Sequence, residues 1–184
     1  PLTIEIAGDD IIAIPYMGFD ENPETRSKIF RVGGTGEIEY RFLVDKSQVD
    51  ALGSEILEKG APLGISLCSN QILDSLMVEM KSVNQLKDIE RDTNAVQAGL
   101  VWMIDFGKSS FIGRDAVVEQ KENLDKRLLV LACEQGDKVP DNARVSIQDS
   151  PVGYVVNQCF SKRLNQDLLM AYVDETFGWV GVEF

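Results

Sequence analysis

The segment Gly33-Gly34-Thr35-Gly36-Glu37 separates two apolar stretches, and the second of them alternates apolar and polar residues. Glycines at 33, 34 and 36 let the backbone reverse where other residues would clash. Residues 29–32 and 38–44 therefore predict a strand, a glycine turn and a second strand. Side chains alternate along a strand, which puts Ile38, Tyr40, Phe42 and Val44 on one face and Glu39, Arg41 and Leu43 on the other. The first face is expected in a core, and the second is polar enough to line a site.

Helical spacing follows. Ser47 is placed to cap a helix running to Lys59, with Val49, Leu52, Ile56 and Leu57 on one stripe and Gly60 as its stop. Residues 70–81 repeat the pattern with Ile72, Leu73, Leu76 and Met80. Two strands followed by two helices read as α+β. The charged segment 87–93 is expected to be an exposed connection, with a new unit opening near Ala98. Gly113-Arg114-Asp115-Ala116 opens a short helix, and residues 127–133 read as a mostly buried strand. Further strands are predicted at 143–147, 152–158 and 168–173, a spacing that suits a small barrel or sandwich.

Composition removes several function classes. The net charge of −12, from 30 acidic and 18 basic residues, repels nucleic acids and anionic membranes, which are polyanions. No apolar run reaches the roughly 18 residues of a membrane span, and the segment 1–6 lacks a signal-peptide pattern, so the cytoplasm is the expected compartment. Histidine is absent, which excludes Ser-His-Asp and Cys-His catalysis and imidazole metal sites. Cys68, Cys133 and Cys159 lack CxxC spacing, so neither a zinc site nor a disulfide framework is indicated, and no metal is expected.

Four segments carry a family resemblance in order. They are 33–40 (Gly33-Gly34-Thr35-Gly36-Glu37-Ile38-Glu39-Tyr40), 74–79 (Asp74-Ser75-Leu76-Met77-Val78-Glu79), 98–116 and 158–173. The third is the strongest, with Ala98-Gly99-Leu100-Val101-Trp102-Met103-Ile104-Asp105-Phe106-Gly107-Lys108 and Phe111-Ile112-Gly113-Arg114-Asp115-Ala116. Together they resemble the glycine cleavage T-protein family of folate-dependent aminomethyltransferases. The resemblance implies a ferredoxin-like α+β unit followed by a small distorted β-barrel of the T-protein C-terminal type. The corresponding division is residues 1–93, the α+β portion of the folate-binding domain, and 94–184, a linker helix and barrel. It further implies transfer of a methyl or methylene unit from a small-molecule donor to tetrahydrofolate, with a carrier protein as partner. The family aspartate near the folate N10 belongs to an N-terminal portion that the chain is expected to lack, so no residue here takes its catalytic role.

The positions matching the family's ligand contacts are altered. Family members hold the pterin ring through a glutamate in the strand after the glycine turn, and Arg41 stands at that position. A guanidinium has only donors, so it cannot accept from the ring N–H groups. Gly34 matches the family's turn tyrosine and Met77 its helix arginine. The candidate cofactor-contacting residues are Glu37, Tyr40, Arg41, Glu79 and Trp102. Each also has a plainer reading: Glu37 capping backbone N–H groups, Tyr40 and Trp102 as core aromatics, Glu79 as a structural carboxylate, and Arg41 paired with Glu39 or Glu37. Three functions stay open: a tetrahydrofolate-dependent one-carbon transferase, a non-catalytic binding or assembly module on the same scaffold, and an enzyme whose different, anionic ligand is bound by Arg41.

Overall fold

The glycine-turn hairpin forms, and it recruits a third strand. In the computed structural model, which describes residues 11–133, 139–140 and 142–184, β1 (Phe19–Glu21), β2 (Lys28–Arg31) and β3 (Tyr40–Leu43) make an antiparallel sheet in the order β1-β2-β3. The hairpin register pairs Lys28 with Leu43, Ile29 with Phe42, Phe30 with Arg41 and Arg31 with Tyr40. Burial alternates along β3, half-buried at Tyr40 and Phe42 and exposed at Arg41 and Leu43, as period two requires. Ile38 falls before the strand and is exposed. β1 has no strong sequence signature; the Asn22 side chain organises the turn by accepting from the Glu24 and Thr25 amides at 2.9 and 3.1 Å, and pairing with β2 does the rest.

Helix α1 (Val49–Gly60) follows a 3-10 turn over Lys46–Gln48. The cap of that 3-10 turn is Asp45, whose carboxylate accepts from the Ser47 amide at 2.9 Å, while α1 itself starts after Gln48 with no side-chain cap. Ser47, expected as the cap, instead donates its hydroxyl to Asp45 at 2.5 Å, because a carboxylate at the helix start accepts two donors. Gly60 remains helical, and the left-handed residue that ends the run is Gly64, φ 78°. Helix α2 (Asn70–Glu79) starts where expected and ends two residues earlier, with Met80 and Lys81 in a turn and Lys81 at φ 52°.

Two compact units result, with the division falling between Leu73 and Asp74, inside α2. In the second unit, helix α3 (Arg114–Glu122) precedes β4 (Lys126–Cys133), β5 (Arg144–Ile147), β6 (Ser150–Ser161) and β7 (Gln166–Asp174). These form a second antiparallel sheet, ordered β4-β7-β6-β5. β7 is central, and its alternate residues serve two cores. Leu168, Met170 and Tyr172 pack with Val78 and Leu128 on one face, while Leu169, Ala171 and Val173 pack with Val145 and Val155 on the other. Each fully buried large side chain contributes about 1.5–3 kcal/mol, so this two-sided strand is where the unit's hydrophobic stabilisation concentrates.

The α+β class therefore holds, with two antiparallel sheets. Among the described residues neither sheet closes: β4 and β5 are the edges of the second sheet. Segment 87–93 is the expected connection, exposed at Lys87, Glu90, Arg91 and Asp92, except at Asp88, which is 0 % exposed and is held by β6, as shown below. No helix among the described residues is long and apolar enough to cross a membrane.

Candidate functional site

The loop at the glycine turn is shaped by close backbone approach. A Cβ at Gly33 would lie 2.7 Å from both Cβ and Oε2 of Glu39, so only glycine leaves room for that carboxylate. Gly36 takes φ 81°, a left-handed conformation that glycine adopts at no steric cost. Tyr16 donates its hydroxyl to the Gly33 carbonyl at 3.1 Å, and Arg31 Nη1 donates to the Ile14 carbonyl at 2.9 Å. These bonds frame a hollow of about 440 Å³ lined by Tyr16, Arg31, Gly33, Gly36, Glu37 and Glu39.

Glu39, placed with Arg41 on the polar face of the strand but not among the five candidate contacts, lines this hollow. Its Oε1 accepts from Arg41 Nε at 3.0 Å, while Oε2 is buried and, among the described residues, has no hydrogen-bond donor. The position two residues before Arg41 was the only signal. Of the two carboxylates weighed as partners of Arg41, Glu39 is the one that pairs with it.

The five sequence-derived candidates are divided between the two units. Glu37 is exposed at the turn, Tyr40 is half-buried opposite Arg31, and Arg41 keeps 65 % of its side chain accessible. These three belong to the first unit. In the second unit, Glu79 is the half-buried last residue of α2. Its negative charge adds to burial, the larger cause, in pushing the Cys159 thiol up. Trp102 lies in the 3-10 turn Val101–Met103, none of whose residues is buried, and is 69 % exposed, so the core-aromatic expectation does not hold. Arg114 donates Nε to the Lys108 carbonyl at 3.3 Å, a structural role that ties the start of α3 to the preceding loop.

The second unit holds a polar network that the sequence did not reveal. Asp88 Oδ1 accepts from Asn157 Nδ2 at 2.8 Å and Oδ2 from the Asn84 amide at 2.6 Å, and the Asp88 carbonyl accepts from the Tyr172 hydroxyl at 2.9 Å. Burial raises the Asp88 carboxyl, and the two hydrogen bonds offset part of that. Beside it, Lys126 Nζ donates to the Tyr154 hydroxyl at 2.9 Å and lies 5.2 Å from the Tyr154 and Tyr172 ring centroids. Tyr154 in turn donates to Glu90 at 2.7 Å, and burial first, then Glu90, push its phenol upward. Every member has a protein partner, which marks this network as structural. Among the described residues no group of His, Cys, Asp and Glu is arranged to hold a metal ion.

Comparison with known proteins places this geometry. A family model described as the GCVT N-terminal domain matches residues 6–108, more than half of the chain. An aminomethyltransferase from Alkaliphilus oremlandii (strain OhILAs) is 29 % identical over 181 residues, covering 96 % of this chain and 49 % of the relative. Another, from Halothermothrix orenii (strain H 168 / OCM 544 / DSM 9562), is 30 % identical over 147 residues, covering 79 % and 41 %. The crystal structure of glycine cleavage system aminomethyltransferase T from Bartonella henselae aligns with a TM-score of 0.81 at 18 % identity, covering 96 % of this chain and 49 % of that one. At that identity the likeness shows the fold alone. The chain spans about half the length of the curated relatives it matches.

Proposed function

The chain belongs to the GCVT N-terminal domain family, and from that membership we infer a role in folate-dependent one-carbon transfer, of the aminomethyltransferase kind named for its relatives. The observation that carries the reading is the family match itself, which runs through the glycine turn, α2 and the Trp102 segment in one continuous span. On this reading the first sheet with α1 and α2 belongs to a ferredoxin-like α+β unit within residues 1–93. The second sheet is then the opened part of a distorted barrel within 94–184. The donor is a small amine, ether or thioether, delivered free or on a carrier protein in the cytoplasm, and tetrahydrofolate is the acceptor. The family resemblance proposes Glu37, Tyr40 and Arg41 of the first unit, and Glu79 and Trp102 of the second, as its candidate contacts.

Arg41 does not fit the ring contact that the family makes at this position. Its guanidinium offers donors only, where ring N–H groups need an acceptor, and the buried Oε2 of its partner Glu39 is enclosed against Gly33. No step is therefore assigned through the ring. Isothermal calorimetry with tetrahydrofolate, on this chain and on Arg41→Glu, tests the reading. Binding near micromolar affinity, about −8 kcal/mol, with Arg41→Glu the tighter, supports it. Absence of binding in both proteins overturns it.

A further inference from the structure

The three strands of the first sheet align one row of side chains across an exposed face. Phe19 is opposite Phe30, and Phe30 is opposite Arg41, so all three project from the same side. The Phe19 and Phe30 ring centroids are 5.6 Å apart at 34°. Phe19 remains 55 % exposed, and Leu43, which shares the face with Arg41, is also exposed. The result is a short aromatic floor that ends on a guanidinium.

The two cations on this face differ in what they have left to give. Lys28 lies 5.3 Å from the Phe19 ring centroid and pairs with Glu21 at 3.3 Å, so its charge is met on its own side of the row. Arg41 gives Glu39 only its Nε, at 3.0 Å. Among the described residues its two terminal nitrogens have no protein acceptor, and 65 % of the side chain faces solvent. Their N–H groups form the planar fork that engages a carboxylate through two parallel bonds. A flat ring over Phe30 would place a carboxylate on its edge at that fork, and the apolar rings beside it would exclude water from the ion pair.

We propose that the row Phe19–Phe30–Arg41 binds a small planar aromatic carboxylate, with the ring stacked on Phe30 and the carboxylate on Arg41. The inference rests on reading the hairpin as the ligand-facing element, but it names a ligand edge of acceptors, the reverse of the donor edge that a family glutamate would meet.

The test uses the full chain and 4-aminobenzoate as probe, followed through the backbone amide resonances of residues 28–31 and 40–43. Aniline lacks the carboxylate, and cyclohexanecarboxylate lacks the aromatic ring. The expected result is saturable shifts in the hairpin with 4-aminobenzoate, and binding about tenfold weaker for either analogue, since the charged hydrogen-bonded contact that aniline lacks and the ring stacking that cyclohexanecarboxylate lacks are each worth about a factor of ten. Arg41→Gln and Phe30→Leu should each weaken the probe about tenfold, and Arg41→Lys less than Arg41→Gln, because charge survives while the fork is lost. Both altered side chains lie on the open face, and the same spectra report whether the hairpin persists. Absent hairpin shifts, equal binding of the three probes, or unchanged binding in Arg41→Gln overturns the proposal. Tetrahydrofolate binding by the parent chain together with absent hairpin shifts from 4-aminobenzoate would leave the one-carbon reading standing while the row is refuted. Probe binding without tetrahydrofolate binding would do the opposite.

Discussion

Replacing Asp88 with alanine should be among the most destabilising single changes in the second unit. The carboxylate is fully buried and occupies two donors, the Asn157 side-chain amide at 2.8 Å and the Asn84 backbone amide at 2.6 Å. Alanine leaves both unmatched. An unsatisfied buried donor costs about 1–3 kcal/mol, so the two together come to about 2–6 kcal/mol. Relief from burying a carboxylate works in the other direction, since desolvation is the largest influence on this group, and it brings the expected loss to about 2–4 kcal/mol. That is a large fraction of a typical domain stability of about 5–15 kcal/mol. Urea unfolding followed by far-UV circular dichroism would show it as a lower midpoint at unchanged slope. Asp88→Asn, which keeps one oxygen for the Asn157 amide or the Asn84 N–H but not for both, should lose roughly half as much. A loss below about 0.5 kcal/mol for Asp88→Ala, the range of an ordinary surface change, would refute the network's role and return segment 87–93 to a simple connection.

The same carboxylate sets a pH dependence. Its folded-state pKa is raised above the unfolded value, so it binds a proton more tightly when folded. Its contribution is fully present below about pH 3.9 and is lost as pH rises through the folded value. Asp125 acts oppositely: its carboxyl is held low, first by the Gln97 side chain, and its contribution is present above about pH 3.9 and lost as pH falls through the folded value. Comparing stability against pH for the parent chain and Asp88→Asn isolates the first term, and identical profiles would contradict it. Gly153→Ala should cost about 1–3 kcal/mol or more, because its Cβ would stand 2.2 Å from the Tyr172 carbonyl oxygen; thermal unfolding checks it, and a stable variant would mean that β6 and β7 can separate. Lys126→Met, which removes a cation 5.2 Å from both tyrosine ring centroids while keeping an unbranched chain, should lower stability by about 1 kcal/mol.

Sequence alone determined the features with a local physical cause. The Gly33–Gly36 turn and the alternation through Tyr40, Arg41, Phe42 and Leu43 specified a hairpin and its faces, because period-two patterning needs no distant partner. The stripes of α1 and α2 and the apolar runs of β4 and β7 were legible for the same reason. Four ordered segments also pointed to the family, since such motifs survive in sequence even where the ligand contacts have changed.

Tertiary structure decided everything that depends on which residues are brought together. Phe19 and Phe30 are 11 positions apart in sequence, and Phe30 and Arg41 are likewise separated; only strand register makes them a row. Asp88 looked like one more charge in a polar connection until Asn157, far along the chain, supplied its partner. Glu39 carried no local mark of the buried oxygen it presents beside Gly33. Trp102 read as core because large aromatics usually are, yet its turn leaves it in solvent. Hydrophobic periodicity reports which face of an element is apolar; it is silent on what a lone polar or aromatic side chain will meet, because that partner is chosen by the fold.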